Sequence, residues 1–169
     1  MWVTGELARF VTDLKFEDIP SEAVQMGKKV LLDLLGCGIV GTIEPSSKIL
    51  KQYFSEMGGK KECRIFGAPG KLPAVNAVFL NSTMAHAHDF DDTHDKAVIH
   101  PGVLVIPPAL ALAERDGIDG RTFMTALIAG YEVHTRVALG SNIGPKSGWI
   151  LTPTCGIFGA AATAGKLLK

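Results

Sequence analysis

The stretch MAHAHDFDDTHDKAVIHPG, residues 84–102, carries four histidines and four aspartates in nineteen positions. If the preceding helical pattern runs on through Phe90, His86, Asp89 and Thr93 share one helix face at spacings of three and four. His88, Asp91 and Asp92 then occupy the neighbouring arc. His100 follows after a short loop, and Pro101 biases it towards extended backbone. Gly102 opens the next helix. The loop is therefore expected to fold His100 back towards Asp89, beside a helix N-terminus whose free N–H groups suit a substrate carboxylate.

Three chemistries fit these residue types. A polar helix end with hydrogen-bonded histidines is the plainest. It strains to explain the whole set, because near-adjacent aspartates repel one another unless paired or protonated. At least one of Asp91 and Asp92 is thus expected to be structural, as a cap or as the partner of a lysine or arginine. A metal site is the second, since His and Asp at such spacing bind zinc, iron or manganese. The His88-Asp89 pair is also that of the all-α HD-type phosphohydrolases. That pattern needs an earlier histidine on another helix, and none precedes His86. The third is metal-free acid/base chemistry. Elimination of water or carbon dioxide from a polycarboxylic acid needs proton transfer at the carbon beside a carboxylate. It also needs an acid for any leaving hydroxyl, and fixed donors for the developing charge. An aspartate and a histidine in unlike environments, with a hydroxyl such as that of Thr93, meet the first two needs.

The elements that must position this cluster read as helices. Leu7, Phe10, Val11 and Leu14 recur at helical spacing. SEAVQMGKKVLLDLLGCGIVGT, after Pro20, has a buried stripe of Val24, Leu31, Leu34, Leu35 and Gly38. SSKILKQYFSEMGG is a third helix stopped by Gly58 and Gly59. AVNAVFLNSTMAHAHDF is expected to deliver the histidines at its C-terminal end. GVLVIPPALALAERDG, GRTFMTALIAGYEVHTRVALG and TPTCGIFGAAATAGKLL complete the set. Strict period-two alternation is nearly absent, and KKECRIFGAPGKLP is the one place for a short extended piece. The expected fold is an all-α multi-helix bundle in a single domain over residues 1–169. The apolar ending GAAATAGKLLK, without cap or polar tail, suggests the first part of something longer.

Whole-chain properties narrow the classes further. Formal net charge is zero, with 17 basic and 17 acidic residues, which argues against nucleic acid or an anionic membrane as partner. Cys37, Cys63 and Cys155 are scattered and unpaired in pattern, as in a reduced compartment. No apolar stretch reaches the ~20 residues of a membrane span, and MWVTGELARF lacks the make-up of a secretion signal. A soluble, cytoplasmic protein is expected. GAPGK lacks phosphate-loop spacing, and neither a dinucleotide fingerprint nor a nucleophile-elbow motif occurs.

NSTMAHAHDFDDTH, then HPG, then ALALAERDGIDGRTFMTALIAGYEVHTR and GWILTPTCGIFGAAATAGKLL together resemble the MmgE/PrpD family. LARFVTDLKFEDIPSEAVQMGKKVLLDLLGCGIVGT is similar to that family's N-terminus, so the resemblance runs over nearly the whole chain. The family includes 2-methylcitrate dehydratase, cis-aconitate decarboxylase and iminodisuccinate epimerase. The resemblance implies a helical first domain of a longer two-domain architecture, a homodimer, and no metal or organic cofactor. It implies dehydration, decarboxylation or epimerisation of a small di- or tricarboxylic acid. Asp89, Thr93 and His100 match the family's active-site aspartate, threonine and histidine. We therefore expect Asp89 and His100 as acid/base groups, with Thr93, Gly102 and His86 binding substrate. Tyr131, Glu132, His134 and Arg136 are expected to serve packing and ion pairing.

Two departures stand out. GWILTPT replaces the family's GFHPTA, which puts Ile150 where a second active-site histidine is expected, and isoleucine cannot carry a proton. The family's second, lid-like domain and its basic residues also lie beyond a chain of this length. The rival expectation is therefore an inactive helical dimerisation scaffold that needs another chain.

Overall fold

The computed structural model describes residues 2–141, 143 and 147–168. Met1, Asn142, Gly144, Pro145, Lys146 and Lys169 lie outside them, the last being the final residue of the apolar ending noted above. The described residues form seven α-helices, one 3-10 turn (Phe16–Asp18) and one small hairpin. In order they are α1 (Val3–Asp13), α2 (Ser21–Gly41), α3 (Pro45–Met57), strands β1 (Cys63–Arg64) and β2 (Lys71–Leu72), α4 (Ala74–Ala85), α5 (Gly102–Asp116), α6 (Gly120–Gly140) and α7 (Leu151–Leu167). The mainly helical fold expected from the apolar periodicity is what the chain adopts.

The centre of the bundle is α5, α6 and α7. Leu34 of α2, Val105, Ile106 and Ala109 of α5, and Ala126 and Leu127 of α6 are essentially without solvent contact. Burying the leucine, isoleucine and valine side chains among them contributes roughly 1.5–3 kcal/mol each. Small residues set the distance between α6 and α7. A methyl group at Gly130 would meet the Thr163 hydroxyl and the Gly159 carbonyl. Two prolines lie inside α5, and the gap left by the first has a local remedy. Pro107 cannot donate to the Val103 carbonyl, and the Ser82 hydroxyl of α4 donates to that oxygen instead, at 3.0 Å. A bond that would weaken α5 therefore ties it to α4.

The hairpin, antiparallel with Cys63 opposite Leu72 and Arg64 opposite Lys71, sits in the segment expected to hold extended backbone. Asn81 of α4 accepts from the Phe66 amide and donates to the Arg64 carbonyl. Glu114 of α5 receives Lys71 Nζ at 2.8 Å and the Arg64 amide at 2.8 Å. Together they clamp α4 and α5, the helices on either side of the histidine-rich loop.

One expectation is corrected. α4 ends at Ala85 rather than continuing through Phe90, and His86 is its C-cap residue at φ −96°, ψ 3°. His86, Asp89 and Thr93 therefore do not share a helix face. Residues 86–100 form a turn and a loop, closed by a bridge in which the His94 amide donates to the Ile99 carbonyl at 2.9 Å. Asp89 takes a left-handed conformation, φ 53°, which aspartate tolerates better than most residues. The helix yields because the loop's polar side chains find partners that a straight helix would keep apart.

Candidate active site

The loop gathers its acids and histidines around one buried carboxylate. The Asp91 side chain has no solvent exposure, and its Oδ1 lies 2.8 Å from His86 Nδ1 and 3.5 Å from His100 Nδ1. The Asp91 carbonyl oxygen lies 3.1 Å from His100 Nδ1. A carbonyl oxygen only accepts, so His100 donates from Nδ1 to Asp91, and the geometry at His86 suits the same Nδ1–H tautomer against a carboxylate. That leaves each Nε2 facing outward, and both face Asp89. His100 Nε2 is 3.4 Å and His86 Nε2 3.7 Å from Asp89 Oδ1. The two imidazoles meet edge to face, with centroids 5.0 Å apart.

The three nearby aspartates thus have unlike surroundings. Asp89 is 78% exposed, open to a molecule arriving from solvent. Asp91 is buried against the histidines. Asp92 accepts from the Gly102 amide at 3.1 Å and from the Tyr131 hydroxyl at 3.1 Å. Burial outweighs those two bonds and pushes the Asp92 carboxyl up to about 6, with the charges of Asp91 and Asp33 adding to the effect. Burial and the Asp92 carboxylate likewise push the Tyr131 hydroxyl far above its usual range. The cap foreseen among Asp91 and Asp92 is Asp92, while Asp91 pairs with histidines.

The backbone of the His100–Pro101–Gly102 turn is held from two further sides. The His100 amide donates to the Thr152 hydroxyl of α7 at 3.0 Å. His134 of α6 is fully buried beside the backbone of Pro101 and Thr152. Neither of its ring nitrogens makes a well-formed hydrogen bond, and burial lowers it to about 4, so it stays neutral. It packs, as expected. Glu132 and Arg136 make the expected ion pair, 2.7 Å apart. Ile150 precedes α7 and is 72% exposed.

The loop folds His100 back against Asp89, as its Pro101 suggested, and brings His86 to the same point. Thr93 is exposed and lines a neighbouring cavity of about 540 Å³ with Asp89, Asp91, Asp92, Phe90, Lys29, Val30 and Asp33. The Gly102 amide is taken by Asp92, and a methyl group there would collide with the Asp92 carboxylate and the Tyr131 hydroxyl. Two features escaped sequence reasoning: Asp91 as the holder of both rings, and the Asp92–Tyr131 bond. Residues 39 positions apart carry no local signal for that bond.

A family model described as the MmgE/PrpD N-terminal domain matches residues 5–169. The chain belongs to the MmgE/PrpD family. Among its curated relatives, a cis-aconitate decarboxylase-like protein of Aspergillus oryzae is 32% identical over 98% of this chain and 36% of its own length. A cis-aconitate decarboxylase of Aspergillus terreus is 30% identical over 98% of this chain and 35% of its own. The human cis-aconitate decarboxylase is 32% identical over 98% and 36%. The chain therefore spans about a third of the length of the curated relatives it matches. Among the described residues no helix is long and apolar enough to cross a membrane.

Proposed function

We propose that this MmgE/PrpD chain carries the acid/base half of a lyase-type active site for a small di- or tricarboxylic acid, with Asp89 and His100 as the groups that move protons. The observation carrying this reading is the approach of His100 Nε2 to 3.4 Å from the exposed Asp89 carboxylate, with the ring held from behind by Asp91. A histidine with Nδ1–H fixed in this way has Nε2 free to take a proton and return it. Loss of carbon dioxide from an unsaturated acid leaves an electron pair that must collect a proton, and protonated His100 supplies it. Loss of water runs with the opposite demand: a base removes the proton beside the carboxylate while an acid protonates the departing hydroxyl. Decarboxylation has the support of the relatives' names. Thr93, which lines the cavity beside Asp89, and His86, whose Nε2 faces Asp89, are assigned as substrate hydrogen-bond partners, and no metal or organic cofactor takes part in this scheme.

A second reading has one observation of its own. The cavity beside Asp89 is lined by Lys29 alone among cations, against Asp33, Asp89, Asp91 and Asp92. Such a lining repels a polycarboxylate. In this reading the chain is a scaffold whose anion-binding groups come from elsewhere, either further sequence or a second copy in a homodimer. The α2 surface bearing exposed Leu32, Ile39 and Val40 is available for such a contact.

The deciding experiment is proton NMR in heavy water, on the purified chain with citrate-like, aconitate-like and aminosuccinate-like acids. The acid/base reading expects product or deuterium uptake, falling by ~10²-fold or more in Asp89→Asn. Equal uptake in that variant removes Asp89 from the mechanism. No uptake from folded wild-type protein favours the scaffold.

A further inference from the structure

With Nδ1–H of His86 and His100 committed to Asp91, three lone-pair atoms converge on one point: the two Nε2 atoms and Asp89 Oδ1. Both Nε2 atoms lie within 3.7 Å of Asp89 Oδ1, and the three residues can each bring one ligand atom within 4.8 Å of the others. Two imidazoles in their neutral form and a carboxylate have nothing to donate to each other across that space. Only a positive charge placed between them satisfies all three.

The spacing suits a metal ion as well as a proton. Ligands about 2.0–2.1 Å from a tetrahedral zinc stand roughly 3.3 Å apart, and the Asp89–His100 gap is 3.4 Å, the Asp89–His86 gap 3.7 Å. A second observation is independent of that spacing. Asp91 is fully buried, its Oδ2 has no hydrogen-bond partner, and its Oδ1 is met by the two imidazoles. A buried carboxylate without a lysine or arginine partner is costly, and it gains from positive charge on the far side of the rings it holds. A carboxylate or backbone carbonyl behind each ligating histidine is also the usual outer arrangement of a zinc site, where it fixes the tautomer and strengthens the ligand; here the Asp91 carboxylate stands behind His86 and the Asp91 carbonyl behind His100. Among the described residues this is the one group of histidine, cysteine or carboxylate side chains with such convergence.

We propose that His86 Nε2, His100 Nε2 and Asp89 Oδ1 form a three-point site for a divalent transition cation of the zinc class, and that its occupation switches off the acid/base pair by taking both lone pairs. The switching half rests on the function proposed above. The binding half does not.

The test titrates the purified 169-residue chain with cobalt(II), read by visible absorption, and then displaces cobalt with zinc. The expected result is one cobalt per chain, bound with a dissociation constant of about 1 µM or below. Affinity falls at least about tenfold in His86→Gln, and roughly ten- to a hundredfold in Asp91→Asn. His88→Gln, which alters a histidine paired with Glu44, leaves binding unchanged. His86 is partly exposed, so its variant stays informative should the buried Asp91 variant fail to fold. Absence of a cobalt spectrum at millimolar metal overturns the site, as does binding that survives His86→Gln or is lost in His88→Gln. Zinc should then abolish deuterium uptake at the concentration that fills the site. Undiminished uptake with the site filled overturns the switch and leaves the site standing. If the metal-free chain shows no uptake, the acid/base reading and the switch built on it both fail, while the cobalt titration still decides binding.

Discussion

Replacing Asp92 by asparagine should stabilise the protein, and only above a defined pH. Asp92 caps α5 through the Gly102 amide and accepts from Tyr131, yet its carboxyl is raised from the ordinary 3.8 to about 6 because burial penalises the ionised form. A folded-state value above the unfolded one means that the native state binds more protons between about pH 4 and pH 6. Stability from this group therefore falls as pH rises through that window, and the full cost is present above pH 6. A change of this size corresponds to about 3 kcal/mol. Asparagine resembles the protonated acid: its carbonyl accepts from Gly102, and its NH₂ group can donate to the Tyr131 oxygen. The variant and the wild type should unfold alike below about pH 4. At pH 8 the variant should melt roughly 6–12 °C higher, for a chain of this size. Urea unfolding at pH 4, 6 and 8 gives the same comparison in free energy. A gap that does not change with pH, or a variant less stable at pH 8, refutes the argument that the ionised Asp92 is held at a cost.

Two further perturbations test the loop and the helix contact beneath it. Val98 is a β-branched residue in the left-handed region at φ 52°, and its side chain is 62% exposed. Val98→Asn should therefore raise stability by about 1 kcal/mol in thermal or urea unfolding, since the strain goes and little burial is lost; a loss of stability contradicts the strained geometry. Gly130→Ala puts a methyl group against Thr163 and the Gly159 carbonyl, and backbone cannot step aside as a flexible side chain can. The expected cost is about 1–3 kcal/mol, and a variant as stable as wild type shows that α6 and α7 are less closely seated than described.

The helices could be read in the sequence because each carries its own apolar period: Val24, Leu31, Leu34 and Leu35 line the inner side of α2, and Leu34 is wholly buried. The end of α4 could not. Between Ala85 and Phe90 there is no glycine or proline to stop a helix, so local propensity favours continuation. The stop is tertiary. His86 Nδ1 reaches Asp91, five residues on, only if the chain turns back, and Gly102 and Tyr131 draw Asp92 the other way. Such bonds have no periodicity, and a residue-type pattern cannot announce them.

The same contrast explains why adjacent, chemically identical side chains do different work. Asp89, Asp91 and Asp92 are indistinguishable by type, and the repulsion among them says only that they must be separated. The fold separates them by environment. Asp92 is spent on the start of α5 and Asp91 on two imidazoles, so neither offers a free carboxylate to an arriving molecule. Asp89 is left exposed with two bare nitrogens before it. Replacing Asp91 would loosen both rings at once, whereas replacing Asp89 would leave the rings in place and remove the group they face. Geometry, not acidity, makes Asp89 the one of the three suited to chemistry.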